Sequence, residues 1–136
     1  MFKKIFFLFS LIIITLSSTN ASHARRAVFD VIEAPLLSAN GQPISADRAK
    51  DIFKRAAIAR SWRVRDGENN SIIAELYIRK HWAQIRFTST DKTYNITYVN
   101  SQNLNYKDGK IHRNYNNWII RLDRTFQKMM FEQTSN

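Results

Sequence analysis

The side chains best suited to chemistry in this chain are concentrated in residues 111–118. This segment contains an imidazole at His112, a guanidinium at Arg113, a phenol, an indole and three amides, Asn114, Asn116 and Asn117. A helix that starts here offers unpaired N–H groups and a partial positive charge, which Arg113 would strengthen. The segment is therefore a candidate site for an anion, or for a sugar that stacks on an aromatic ring.

A structural role accounts for the same residues, and we favour it. Asparagines cap helices and satisfy connector backbone, while Tyr115 and Trp118 fall on the predicted core face. His112 is a candidate general base, but no glycine-flanked serine and no carboxylate close in sequence supports a triad. The segment alone thus indicates no specific reaction.

Metal and carboxylate chemistry receive little support from spacing. His81 and His112 lie far apart, a His-x-x-x-His pair is missing, and the chain has no cysteine. We therefore expect neither a metal nor a cofactor. A pair of carboxylates for glycoside cleavage remains an alternative, although sequence spacing gives it no support. The candidates are Asp47, Asp51, Glu75 and Asp123.

A second candidate site lies on residues that alternate along predicted strands. If those strands pair in chain order, basic and aromatic side chains interleave on the open face of the sheet and could hold an anionic glycan or lipid headgroup. Cross-strand pairs such as Glu75 with Arg86 would equally stabilise a sheet that binds nothing. The candidate binding residues of this face are Arg63, Arg65, Tyr77, Arg79, Trp82 and Arg86.

The elements that must position these residues follow from hydrophobic periodicity. Helical spacing predicts a first helix over 46–61, with Ser45 as its N-cap, and a second helix that runs to about residue 131, capped by Asn114 or Asn116. Between them, alternation predicts four short strands over 62–99, and residues 100–117 form a polar connector. The expected fold is α+β: a two-layer structure in the order α-β-β-β-β-α, with an antiparallel sheet of about four strands and both helices packed on one face.

The first 24 residues have the pattern of a secretory signal peptide. Lys3 and Lys4 precede an apolar run over 5–16, and small residues follow, which places the cut near residue 21 or 24. The apolar run is too short for a stable transmembrane anchor. Without a cysteine at the cut, the lipid-anchored route is closed, and a core without disulfides must hold alone. We therefore expect a periplasmic protein that is neither lipidated nor anchored.

The rest of the chain is expected to contain an extended N-terminal arm over 25–44 and a single α+β domain over 45–133. The chain has a formal net charge of +10, which favours anionic partners. In an envelope compartment these are peptidoglycan, lipopolysaccharide, anionic lipid headgroups or an acidic protein, whereas nucleic acid is normally absent. Charge that serves solubility alone is the competing explanation.

Three stretches of the carboxy-terminal half, residues 94–98, 101–104 and 111–123, resemble the signature of small envelope proteins of proteobacteria, many of them lipoproteins. The longest reads Ile-His-Arg-Asn-Tyr-Asn-Asn-Trp-Ile-Ile-Arg-Leu-Asp. The resemblance implies a secreted α+β domain with no assigned activity. This chain differs from the lipoprotein members by lacking the lipidated cysteine.

These observations favour a non-enzymatic periplasmic binding or accessory module. Its expected contact is an anionic envelope component or a protein partner, through the sheet face or the asparagine-rich segment. One alternative is a small periplasmic hydrolase acting on peptidoglycan or a phosphoester, with His112 as base. The other is a structural subunit of an envelope complex, in which the arm over 28–37 docks on the sheet edge of a partner.

Overall fold

The computed structural model describes residues 25–133, and the predicted signal peptide lies outside them. The described chain contains two helices and seven strands, with one 3₁₀ turn at Glu68–Asn70. No helix within residues 25–133 combines the length and the apolar character needed to cross a membrane. In chain order the elements are β1 (Arg25–Ala27), β2 (Val31–Pro35), α1 (Ala46–Ala59), β3 (Arg63–Asp66), β4 (Ile72–Ile78), β5 (His81–Ser89), β6 (Thr93–Gln102), β7 (Lys110–His112) and α2 (Arg113–Phe131).

The predicted α+β class is confirmed, with a larger sheet than expected. Five antiparallel strands pair in the order β2-β6-β5-β4-β3, and β1 with β7 forms a separate two-stranded sheet. The four predicted strands are β3 to β6, and they pair in chain order. The fifth, β2, comes from the arm: Val31 lies opposite Ile96 of β6. The arm therefore adds an edge strand to this chain's own sheet.

The first helix begins and ends close to where its sequence predicts. The Ser45 hydroxyl accepts a hydrogen bond from the Arg48 backbone N–H at 3.2 Å, and Asp47 complements the positive end of the helix. One face of α1 is completely buried, at Ala49, Ile52, Phe53, Ala56 and Ala57. The helix ends at Ala59, two residues before the predicted boundary.

The second helix begins earlier than predicted, and the expected asparagine caps are wrong. His112 is the N-cap, and its Nδ1 accepts from the Asn114 N–H at 3.2 Å. The predicted connector over 100–117 is also shorter, because β6 continues to Gln102 and β7 occupies Lys110–His112. The predicted core face of α2 is buried at Tyr115, Ile119, Leu122 and Phe126.

Both helices pack on one side of the large sheet. Phe53 of α1 stacks on Phe87 of β5 with ring centroids 4.1 Å apart, and Phe126 of α2 meets both rings edge-on. Tyr94 of β6 closes the cluster against Phe126 at 4.8 Å. Because the apolar residues of β4 and β5 point into this layer, the alternate residues of the same strands face away from the helices.

Candidate functional site

The open face of the sheet brings the second set of predicted site residues together in one patch. Arg63, Glu75 and Gln84 lie abreast on β3, β4 and β5, and Arg65, Ile73 and Arg86 form the next row. Tyr77 and Trp82 form a third row, next to the β4–β5 turn that carries Arg79. We call these residues the sheet-face patch: Arg63, Arg65, Tyr77, Arg79, Trp82 and Arg86.

Aromatic and cationic groups interleave at the turn end of the patch. The guanidinium carbon of Arg63 lies 5.5 Å from the centroid of the Tyr77 ring, which is cation–π distance. The Tyr77 and Trp82 rings are tilted by 41° with centroids 6.3 Å apart. The indole N–H of Trp82 is covered by neighbouring atoms and has no hydrogen-bond partner. Tyr77 is 56% exposed, so its ring is available to a ligand.

The patch is cationic because its four arginines outnumber the neighbouring carboxylate of Glu75, which accepts hydrogen bonds from neutral groups. Glu75 accepts from the Gln84 side-chain amide at 2.7 Å and from the Tyr77 hydroxyl at 3.4 Å. The expected pairing of Glu75 with Arg86 is wrong, since the register sets Glu75 opposite Gln84 and Arg86 opposite Ile73. The Ile73 side chain, only 6% exposed although it is on the open face, lies between two arginines.

Over residues 25–133, just two ion pairs form within 4.0 Å. Lys54 contacts Asp66 at 2.9 Å, and Lys128 contacts Glu132 at 3.9 Å. Neither involves an arginine of the sheet-face patch. The four guanidinium groups of the patch therefore have no carboxylate within 4.0 Å in the described chain, although Arg63 lies opposite Glu75 in the register, and a polyanion would meet an attractive potential there.

The first set of predicted site residues divides between two environments. His112, Arg113 and Asn114 line an open cleft of about 430 Å³, whereas Asn116 and Asn117 do not. The Asn116 side chain holds the arm by two hydrogen bonds. It accepts one from the Phe29 N–H at 3.0 Å and donates the other to the Ala27 carbonyl at 2.8 Å. Asn117 is exposed on α2.

The cleft includes residues that sequence reasoning missed. Lys80 and His81 from the β4–β5 turn, with Asn103 and Asn105 from the loop after β6, complete its lining. His81 Nδ1 lies 2.7 Å from the Asn103 carbonyl, so this nitrogen is the donor, and the Asn103 amide donates to the Lys80 carbonyl at 2.6 Å. Separation in sequence argued against His81 and His112 acting together, yet both line this cleft. Nothing local to Lys80 or His81 indicates that they lie beside α2.

The hydrogen bonds of His112 do not fit the predicted role of general base. His112 Nδ1 accepts the cap bond from Asn114, so in the neutral ring the proton sits on Nε2 and the basic lone pair is already used. No carboxylate is among the cleft-lining residues of the described chain. Within residues 25–133, no three His, Asp or Glu side chains are grouped as a metal site would require. The cleft is a donor-rich, cationic surface.

The candidate carboxylates are separated by the sheet. Glu75 lies on the open face, whereas Asp47, Asp51 and Asp123 belong to the helices on the other side. Asp123 is half-buried, and it accepts from the Tyr94 hydroxyl at 2.7 Å. Burial raises the pKa of Asp123, and the bond from Tyr94 partly opposes that rise. Asp123 is therefore a structural residue, although its basic sequence neighbours Arg121, Arg124 and Lys128 are typical of a solvated helix face.

The sheet-face patch and the cleft meet at the β4–β5 turn. Arg79 adopts a left-handed backbone with φ of 54°, which allows the two-residue reversal between Ile78 and His81. Arg79 belongs to the patch and Lys80 to the cleft, so one turn supplies cations to both surfaces.

Comparison of the chain with protein-family models, with curated proteins and with solved structures finds no match.

Proposed function

We propose that this protein is an exported, non-enzymatic binding or accessory module of the cell envelope, and that its sheet-face patch contacts an anionic envelope component. The amino-terminal pattern supports export to the periplasm. The resemblance of residues 94–98, 101–104 and 111–123 to small envelope proteins of proteobacteria supports the same compartment. The partner classes that fit are peptidoglycan, lipopolysaccharide, anionic lipid headgroups and acidic envelope proteins.

One observation carries the proposal: the three arginines of the open face and Arg79 of the adjacent turn have no carboxylate within 4.0 Å in the described chain. Arg63 lies opposite Glu75, as in a stabilising cross-strand pair, but Arg65 and Arg86 flank the apolar Ile73. Glu75 itself accepts hydrogen bonds from Gln84 and Tyr77. The charge is thus directed to solvent, next to two aromatic rings that supply stacking surfaces for a sugar or a headgroup.

The hydrolase alternative gains no support from the site. A hydrolase that uses His112 as base needs an open lone pair and a carboxylate to orient the ring. In the cleft, the Nδ1 lone pair of His112 accepts the cap bond, and the other lining residues are Lys80, His81, Arg113 and three asparagines, none of which is a carboxylate. The arm that a structural subunit would offer to a partner is paired with this chain's own β6. We therefore place the binding module first.

Charge-matched variants test the proposal. The patch variant R63Q/R65Q/R79Q/R86Q removes four charges from the open face, and the control R55Q/K92Q/R121Q/R124Q removes four charges from exposed positions elsewhere. Both leave the same net charge. Co-sedimentation of each with isolated sacculi and with phosphatidylglycerol vesicles, at about 0.15 M salt, measures binding at physiological screening.

We expect the patch variant to bind at least about a hundredfold more weakly than the wild type, since each cation near an anionic surface contributes about fivefold. We expect the control variant to lose much less, because its charges do not meet the ligand. Equal losses in the two variants would mean that net charge alone governs binding. Absence of binding by the wild type to every anionic probe would refute the proposal.

A further inference from the structure

We propose that the anionic component is a lipid bilayer surface and that the tip of the β4–β5 hairpin enters its headgroup region. The tip comprises Tyr77, Ile78, Arg79, Lys80 and Trp82. This inference rests on the proposed function, because it names the partner of the sheet-face patch. It differs from that proposal in requiring apolar as well as ionic contact.

The tip exposes apolar surface on both sides of the hairpin. Tyr77 and its cross-strand partner Trp82 form the last row of the open face. Ile78, in the next pair, points to the same side as the core residues of β4 yet is 37% exposed. An aliphatic side chain and two amphipathic rings therefore surround the turn. Tyr77, whose ring is exposed and carries a polar hydroxyl, suits a membrane–water interface, where one end of the ring is apolar and the other is hydrated.

Positive charge collects at the same end of the domain. Lys80 shares the cleft with Arg113, and the register places Arg25 of β1 opposite His112, which also lines the cleft. The turn that leads into β7 adds Lys107 and Lys110. None of these groups has a carboxylate within 4.0 Å in the described chain. The basic residues at this end are Arg25, Arg26, Arg79, Lys80, Lys107, Lys110 and Arg113. They outnumber the two carboxylates there, Asp30 and Asp108.

Apolar and cationic groups together favour a lipid surface over a soluble polyanion. A hydrated polymer such as peptidoglycan or an acidic protein segment attracts the cations but offers no apolar environment in which the exposed Ile78 could be buried. A bilayer with anionic lipids offers headgroup phosphates to Arg79 and Lys80 and, within a few ångströms, acyl chains to the apolar side chains beside them. We infer that the hairpin lies with its turn toward the bilayer.

The test separates apolar insertion from charge. The tip variant Y77S/I78S removes two exposed apolar side chains, and the control I58S/F131S removes two from the helices, where Ile58 is 60% exposed and Phe131 is 61% exposed. None of the four changes alters a charge. Binding to vesicles of phosphatidylglycerol and phosphatidylcholine is measured from low salt to about 1 M, where the Debye length falls to about 3 Å.

We expect wild type to keep a salt-resistant part of its vesicle affinity, and the tip variant to lose that part and bind about tenfold more weakly at every salt concentration. We expect the control to match wild type. Circular dichroism confirms that each variant is folded. Fluorescence quenching by lipids with brominated acyl chains provides a readout on the wild-type protein. Bromine should quench the fluorescence of Trp82, and W82F should lose the quenched component.

Two results overturn the inference while leaving the proposed function intact. One is binding to sacculi without binding to vesicles. The other is vesicle binding that high salt abolishes and that Y77S/I78S does not change. A wild-type protein that binds neither sacculi nor vesicles refutes the proposed function itself, so the two failures are distinguishable.

Discussion

Removing one hydroxyl from the interior tests how the buried polar cluster of this fold is held. Tyr94 is 1% exposed, and its hydroxyl donates to Asp123 Oδ1 at 2.7 Å while it accepts from the Gln127 amide at 3.1 Å. Tyr94→Phe keeps the ring between Phe87 and Phe126 and deletes only these bonds. A hydrogen bond to a charged group contributes about 1.5–3 kcal/mol, so we expect a loss of about 2 kcal/mol in the free energy of unfolding at about pH 7.

The pH dependence of that loss follows from the pKa of Asp123. Burial raises this pKa above its value in the unfolded chain, and the bond from Tyr94 opposes the rise. The bond thus stabilises the ionised carboxylate more than the protonated acid. As the pH falls from about 7 to about 3, which is below the ordinary pKa of an aspartate, Asp123 takes up a proton and the deleted bond becomes one between neutral groups. We expect the loss to shrink to about 1 kcal/mol.

Urea unfolding of wild type and Tyr94→Phe at the two pH values measures both quantities. Tyr98→Phe is the matched control, because the Tyr98 hydroxyl pairs with the neutral Ser101 hydroxyl at 2.8 Å. The control should lose about 1 kcal/mol at either pH. A Tyr94→Phe loss that is the same at both pH values, or that is no larger than the control at about pH 7, would refute the reasoning.

Three further substitutions test the packing around the candidate site. Gly67→Ala should cost about 1–3 kcal/mol in urea unfolding, since the added Cβ would lie 2.4 Å from the buried Ser71 hydroxyl; a neutral result would show that this loop yields freely. Tyr115→Phe should leave thermal stability equal or higher, because the Tyr115 hydroxyl is buried without a hydrogen-bond partner, and a loss above about 1 kcal/mol would reveal a missed bond. Asn116→Ala should speed amide hydrogen exchange in the arm, most of all at the Phe29 N–H, which donates its hydrogen bond to the Asn116 side chain. Unchanged exchange at Phe29 would contradict this anchoring role.

Local patterns were sufficient for the elements that build the sheet-face patch. Strict alternation along β4 and β5 predicted which side chains share the open face, because successive side chains of a strand point to opposite sides. The helical repeat with a Ser45 cap likewise predicted α1 to within two residues. Pairing in chain order then followed from the short turns between strands.

The parts that sequence reasoning missed depend on contacts between distant segments. Strands of three residues, such as β1 and β7, are too short to show a period of two, so only their pairing reveals them. His112 is an unusual N-cap, and the usual preference pointed to nearby asparagines. The cleft joins Lys80 and His81 to Arg113 across more than thirty residues of sequence, which no local pattern encodes.

The hidden role of Asp123 has a similar origin. Its neighbours in sequence, Arg121 and Arg124, are basic, and such a run of charges is typical of a solvated helix face. Tyr94, twenty-nine residues earlier on β6, supplies the hydroxyl that makes the carboxylate structural. Sequence could propose that helix and strand pack together, but not which polar atoms meet between them.

The most direct test of the binding account is to map the contact surface on the ¹⁵N-labelled domain by NMR while phosphatidylglycerol bicelles are added. The account predicts that amide signals broaden first around Arg63, Tyr77, Arg79, Trp82 and Arg86, and that signals from the outer face of α1 around Arg55 stay unchanged at about 0.15 M salt. Broadening centred on the outer faces of the helices, with the β4–β5 hairpin unaffected, would contradict it.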